Sequence, residues 1–295
     1  MVNSPLNLLF AGVLALVPLT TRAQAPLAEW SGNSAATLPA DSLTGRSGKL
    51  LARMVGASLG GPIRVLRELF GDSATARPGV YTASLASRSF SLITLLPFRS
   101  KSAGRVGEYR LGNWPRERSG SGTLPEGFVE VTPQNQELQV SEHFRLKDFL
   151  THDQHMVWPK YIVLREALVD KLELIISDLQ VRGVRVEQVR VLSGFRTPLY
   201  NAQGVRRGGR ASDSRHQYGD AADIFVDNDG NGKMDDLNAD GRVDLRDSRI
   251  ILESVERVER SNPDLAGGAG LYKSTPSHGP FVHVDVRGTR VRWGA

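Results

Sequence analysis

The sequence predicts an α+β fold, and three observations carry that expectation. Short β-type runs separated by Pro, Gly and Ser clusters fill the segment from Gly79 to Val131. A helical repeat of Leu164, Leu168, Leu172, Ile175 and Leu179 comes next. Two alternating strands, AADIFVD from Ala221 and FVHVDV from Phe281, then flank a second helical stretch, SRIILESVERVER.

The chain has 295 residues, 40% apolar and 23% charged, and no cysteine. That is ordinary globular composition with length for one large or two modest domains. Without cysteine there is no disulfide framework and no thiol for lipid attachment, so the fold rests on its core and on any metals it binds. Lys and Arg outnumber Asp and Glu by 37 to 32, but the basic residues are scattered. This argues against a nucleic-acid stripe and suits an anionic cell wall as partner.

Taken in order, Leu8 to Leu19 form an apolar run too short to span a bilayer, and Ala23-Gln24-Ala25 comes after it as a small-residue cleavage site. A signal peptide is expected over residues 1–25. Its removal would leave a periplasmic or extracellular protein of the bacterial envelope with no transmembrane span. Residues 26–60, rich in Ser, Ala, Gly and Pro between Ser31 and Ser47, read as a linker. Residues 61–135 are predicted to form a small all-β accessory domain, because GVYTASLA, SFSLITLL, GRVGEYRLG and GFVEV are broken by turn-formers such as ERSGSGTLPEG. That segment has no cluster of potential ligands, so a structural or substrate-positioning role is expected.

A second domain is predicted over residues 141–295. Pro159 opens its first helix and Gly183 ends it. A strand around Gln188 to Leu192 delivers the turn SGFRTP, and the loop GVRRGGR leads into SRHQYGDAADIFVD. No internal repeat of solenoid length is present.

The chemistry concentrates in that second domain. Alternation puts Ala221, Asp223, Phe225 and Asp227 on one strand face and Ala222, Ile224 and Val226 on the other. His216 lies on the preceding loop, and the small residues between it and Asp223 let both side chains reach one point. In FVHVDV, Phe281, His283 and Asp285 share a face. Three potential ligands, His216, Asp223 and His283, can therefore meet. Two imidazoles and one carboxylate suit zinc and leave a fourth position for water. A lone histidine is more often a satisfied polar residue beside a strand, but three such groups on separate segments weigh against that reading here.

SGFRTPLYN, then SRHQYGDAADI, then GLY and GPFVHVDVRGTRVRW resemble the zinc peptidases of the D-Ala-D-Ala carboxypeptidase and murein endopeptidase family. The resemblance covers about Ser141 to Ala295, and the frame Ser-x-His-x-x-Gly-x-Ala-x-Asp is its specific part. It implies a Hedgehog-type fold, zinc held by His216, Asp223 and His283, and peptidoglycan stem peptides or cross-links as substrate. The ending FVHVD is similar to the endopeptidase branch. In the carboxypeptidase branch a catalytic Glu stands three residues before the last ligand, where this chain has Pro280.

The general base is consequently open between two residues. Asp285 either takes a proton from water or orients a ligand, and His278, in the loop SHGP, is the other acid–base candidate. Arg196 either binds a peptide carboxylate, as the resemblance implies, or forms a fold-stabilising ion pair. Ser214 either hydrogen-bonds substrate or stabilises its turn. The implied chemistry is metal-assisted amide hydrolysis with no covalent intermediate. No GxSxG elbow and no SxxK motif with partners is present.

A second metal signal, the insertion 227–247, comes directly after the AADIFV strand. Counting from Asp236, oxygen ligands fall at loop positions one, three, five, nine and twelve as Asp236, Asn238, Asp240, Asp244 and Asp247. Gly241 stands at six, Arg242 at seven and apolar Val243 at eight, an EF-hand pattern similar to dockerin loops. Structural calcium is expected there. An overlapping frame with Asp227, Asp229, Asn231 and Gly232 is a second candidate, but it ends on Asn238 and lacks a bidentate carboxylate. The plainer alternative is a solvated acidic turn, and Asp247 also fits as the cap of the following helix.

Two rivals to an enzyme stand beside these readings. One is a metal-braced wall-binding module without turnover. The other, a calcium-dependent scaffolding protein, is weaker because the loop occurs once.

Overall fold

The computed structural model describes residues 49–54, 78–85, 88–120 and 122–294. The expected signal peptide and most of the expected linker lie outside them. The described residues form a mixed α+β structure, and none of their helices is long and apolar enough to cross a membrane.

The first sheet joins β1 (Lys49–Met54), β2 (Gly79–Leu85) and β3 (Arg88–Thr94) in the order β1-β3-β2, with β1 parallel to β3. β1 falls inside the segment expected as linker. Its sequence, KLLARM, lacks the turn-formers of Ser31 to Ser47 and can supply a strand.

Next come β4 (Leu96–Pro97), β5 (Arg105–Val106), β6 (Tyr109–Arg110), the one-turn helix α1 (Pro115–Ser119), β7 (Gly127–Val131) and β8 (Lys160–Ile162). Here the structure differs from the expected accessory domain in two ways. α1 interrupts the β-type segment, and β7 pairs with β8, which lies beyond the expected boundary. The side chains of this segment also join one buried core running from Ile93 to Val286. Two-residue strands cannot cover an apolar face by themselves, so Tyr109, Trp114 and Phe128, all fully buried, share a core with the C-terminal half of the chain. The Trp114 indole donates to the Gln217 carbonyl at 2.7 Å, and Leu199 N donates to Leu111 O at 2.9 Å.

The first long helix is α2 (Glu166–Val181). It begins seven residues later than the sequence predicts, because Lys160–Ile162 extends as β8 instead. Leu164 is nevertheless buried, together with Leu168, Leu172, Ile175 and Leu179 of the expected stripe. Gly183 ends the helix at φ +80, a left-handed conformation suited to glycine.

The remaining elements are β9 (Val189–Ser193), α3 (Pro198–Arg206), β10 (Ala221–Val226), α4 (Leu245–Ser261), β11 (Gly268–Tyr272), β12 (Phe281–Asp285) and β13 (Val291–Trp293). They build a five-stranded sheet in the order β13-β11-β12-β10-β9, antiparallel except for β11 with β13. α2 packs on α4, and α4 packs on β11 and β12. Ala222, Ile224, Val226, Val282 and Val284 supply aliphatic side chains to the core. The alternate residues Asp223 and His283 share the other face and are direct partners in the register of β10 and β12.

Candidate metal centre

The turn SGFRTP acts as a clamp. A Cβ on Gly194 would lie 2.6 Å from Phe149 Cα, so only glycine permits that approach. The Gly194 carbonyl accepts from His216 Nδ1 at 2.7 Å, and Arg196 N donates to His216 O at 3.1 Å. Thr197 then caps α3 by accepting from Tyr200 N at 3.0 Å, with Pro198 as the first helical residue. His216 itself sits in a 3-10 turn, Arg215–Tyr218, closed by Gly219 at φ +64. A Cβ on Gly219 would overlap the Val163 carbonyl, which accounts for the glycine three residues after the histidine.

Three side-chain atoms converge below this clamp. His216 Nε2 lies 3.2 Å from His283 Nδ1 and 3.3 Å from Asp223 Oδ1, and the last two are 2.9 Å apart. All three residues are buried. The opposite ring nitrogens are already committed. His216 Nδ1 faces a carbonyl, which can only accept, and His283 Nε2 faces Asp285 Oδ2 at 3.1 Å. Each outer nitrogen therefore carries the hydrogen, and in the neutral imidazoles each inner nitrogen presents a lone pair.

These separations test the fit of a metal. Tetrahedral ligands about 2.0–2.1 Å from zinc stand about 3.3 Å from one another. The three observed distances, 2.9 to 3.3 Å, are close to that edge. Two imidazole nitrogens and a carboxylate oxygen also form a donor set that zinc accepts.

Charged neighbours fix the ligands from outside. Arg196 donates from Nη2 to Asp223 Oδ2 at 2.5 Å and from Nε to Ser193 Oγ at 2.8 Å. Asp285 receives Arg287 Nε on Oδ1 at 2.9 Å, Arg287 Nη2 on Oδ2, and Gly268 N on Oδ1 at 2.7 Å. Burial pushes the His216 imidazole below its ordinary value, despite the nearby Asp223 charge. For Asp223, burial pushes upward, but with hydrogens on the inner imidazole nitrogens, as without a metal, hydrogen bonds and charge from His216 and His283 hold the carboxyl well below the usual range. Burial pushes His283 downward, and the same contacts raise it. Like Asp223, Asp285 is lowered, with His283, Arg287 and the Gly268 amide outweighing its burial.

His216, Asp223, His283, Arg196 and Asp285 are thus brought together. His278 makes no described bond to them. It is half-buried, faces the Gly279 carbonyl through Nδ1 at 2.8 Å, and packs edge-on against Phe281 at 4.9 Å. Ser214 starts the turn that carries His216, but its hydroxyl forms no capping bond there.

Sequence reasoning missed Trp293, Arg287, Gly270 and Lys171. The Trp293 ring lies 5.1 Å from that of His283, and Lys171 Nζ donates to Asp285 O at 2.7 Å. Arg287, two residues beyond Asp285, was visible by alternation. Trp293 was not, since its approach depends on β13 pairing with β11.

In the acidic insertion the carboxylates accept from backbone amides, and Gly241, at position six of the favoured frame, has φ +79. Asp247 is fully buried, and its oxygens accept from Leu237 N at 2.8 Å, Asn238 N at 3.3 Å and Asp244 N at 2.8 Å. Asp244, rather than Asp247, is the N-cap of α4, accepting from Arg246 N at 2.7 Å. Asp240 pairs with Arg246 Nη1 at 2.6 Å. Asp236 receives Gly241 N at 2.7 Å, Asn238 receives Asp240 N at 3.0 Å, and Arg242 N donates to Asp240. Among the described residues, the groups of three or more acidic or imidazole side chains that offer ligand atoms within 4.8 Å of one another are His216, Asp223 and His283, and Asp227, Asp229 and Asp235.

No family model and no curated protein matches the chain. Among solved structures, the L-Ala D-Glu endopeptidase ChiX of Serratia marcescens is similar at 20% identity and a TM-score of 0.28. That alignment covers 42% of this chain and 82% of the other, a likeness too slight to define fold or activity.

Proposed function

We propose that the chain is a secreted, zinc-dependent peptidase of the bacterial envelope that hydrolyses amide bonds in peptidoglycan stem peptides or cross-links, with endopeptidase cleavage favoured. The observation that carries this reading is the convergence of His216 Nε2, His283 Nδ1 and Asp223 Oδ1 at ligand spacing, each imidazole already fixed through its other nitrogen. The substrate class rests on the sequence resemblance through SGFRTP, SRHQYGDAAD and FVHVD.

His216, Asp223 and His283 would hold the metal. Zinc bound there supplies Lewis acidity toward an amide carbonyl and brings the pKa of a water toward neutrality. The chain's own residues do the positioning. Arg196 holds Asp223, and Asp285 keeps the Nε2 hydrogen of His283 outward, so we assign Asp285 to orientation rather than proton transfer. His278 keeps its Nδ1 hydrogen on Gly279 O, so Nε2 is the atom this acid–base candidate offers to substrate. Trp293 covers one side of His283 and shields it from water.

One observation favours the wall-binding module without turnover: Asp285 is saturated by Arg287 and Gly268, and Pro280 stands where the carboxypeptidase branch has its Glu. Mass spectrometry of purified muropeptides, incubated with and without a chelator, separates the two. The enzyme reading expects new peptides that together gain one water, and their loss with chelator. Intact muropeptides in the presence of zinc-loaded protein would leave only the binding module.

A further inference from the structure

The insertion after β10 contains a second buried carboxylate that the metal centre does not use. Asp227 is fully buried at the end of the strand that carries Asp223. Its Oδ2 accepts from Gly232 N at 3.0 Å and lies 2.8 Å from Arg190 Nε. Its Oδ1 is buried with no hydrogen-bond partner. Leaving a buried carboxylate oxygen without a hydrogen-bond partner is costly even with Arg190 beside the other oxygen, and a cation at Oδ1 would satisfy it. The Asp227, Asp229 and Asp235 carboxylates each offer an oxygen within 4.8 Å of the others.

We propose that this group binds one calcium ion, and that the calcium frame of the insertion begins at Asp227 rather than at Asp236. In this frame Asp227, Asp229 and Asn231 stand at positions one, three and five, Gly232 at six, Met234 at eight and Asp235 at nine. Gly232 has φ +80, the sharp turn that the sixth position requires. Met234 is buried in the core, as an apolar eighth residue should be, whereas Val243, the eighth residue of the rival frame, is exposed. Asp235 was absent from the sequence reading, and its amide pairs with Val226 O at 2.9 Å, which carries its side chain back over the end of β10.

The closing residue of the rival frame is fully buried at the start of α4, while in the Asp227 frame Asp235 accepts from Asn228 N at 2.9 Å and Asp229 from Asn231 N at 3.1 Å. Asp247 spends its carboxylate on the amides of Leu237, Asn238 and Asp244 at the start of α4. The Asp227 frame closes on Asn238, which offers a neutral amide where an EF-hand has a bidentate carboxylate. Affinity on the order of 10⁻⁴ to 10⁻³ M is therefore expected, the range of extracellular calcium modules. An all-oxygen, flexible loop suits calcium over magnesium, which demands tighter octahedral geometry, and over zinc, which prefers nitrogen or sulfur.

The test is calorimetric titration of calcium chloride into the metal-stripped full chain, with magnesium chloride as comparison. One equivalent of calcium should bind, with no comparable uptake of magnesium at the same concentration. Asp229→Ala, an exposed position, combined with Asp235→Ala should abolish that binding, while Asp236→Ala with Asp240→Ala should keep it. Should the first pair fail to fold, Asp229→Ala alone should weaken binding at least tenfold. No calcium uptake at millimolar concentration, uptake unchanged in the Asp229 variants, or loss confined to the Asp236 and Asp240 pair would each overturn the proposal.

Discussion

Asp223 and His283 are partners across β10 and β12, with Asp223 Oδ1 2.9 Å from His283 Nδ1. A directly opposed pair on an antiparallel ladder has its backbone separation set by the register, so two of the three proposed ligands are brought side by side by strand pairing. Only His216 has to be brought in by a loop, and the SGFRTP clamp performs that task.

The first prediction concerns Asp285. If it orients His283, Asp285→Asn should weaken metal binding about 10- to 100-fold, the usual effect of losing an outer hydrogen-bond partner of a ligand. Competition with a chromogenic chelator measures this. Unchanged affinity with collapsed turnover would instead make Asp285 the general base.

A second prediction comes from Gly270. It lies between His283 of β12 and Trp293 of β13 in the register, and a Cβ there would overlap the indole. Gly270→Ala should lower both the melting temperature and the activity by displacing Trp293. Adding Trp293→Ala in that background should cost little more, because the clash is then gone. Additive losses in the double variant would show that the two residues act separately.

The third prediction is a pH effect away from the metal ligands. Glu259 is buried; burial pushes its carboxyl up, but Lys171 at 2.7 Å and Arg292 at 2.6 Å outweigh that, so its value is lowered from 4.5. The unfolded state then binds this proton more readily than the folded one, so the group stabilises the fold above about pH 4.5 and loses that contribution as pH falls through its folded value. Glu259→Gln should be less stable than the parent at pH 7, with a gap that narrows toward pH 3 in thermal melts. A gap that is constant over that range would mean Glu259 is not titrating as described.

How much was legible in the sequence depended on how local each relationship was. His216, Asp223 and His283 could be found because one sits a short loop from a strand and the others obey period-two alternation. The pairing of β7 with β8 was hidden, since its partners lie on either side of a turn-rich segment that resembles a domain boundary. The start of α2 was misplaced because KYI reads equally as a helix entry or a strand until β7 lies beside it. Our proposal prefers the Asp227 calcium frame because Asp247 fits two tasks by spacing, and only the folded loop shows its oxygens turned to backbone amides. Trp293 lay beyond reach because its contact with His283 passes across Gly270 on a third strand.

The central claim is tested most directly by the zinc content of the purified protein and of three variants, His216→Ala, Asp223→Ala and His283→Ala, measured by plasma emission spectrometry after dialysis against trace zinc. The parent should retain one zinc per chain, and each variant should lose most of it while keeping a cooperative melt, since two protein ligands are too few to hold the metal. Full occupancy in the variants, or none in the parent, would contradict a zinc centre at these residues.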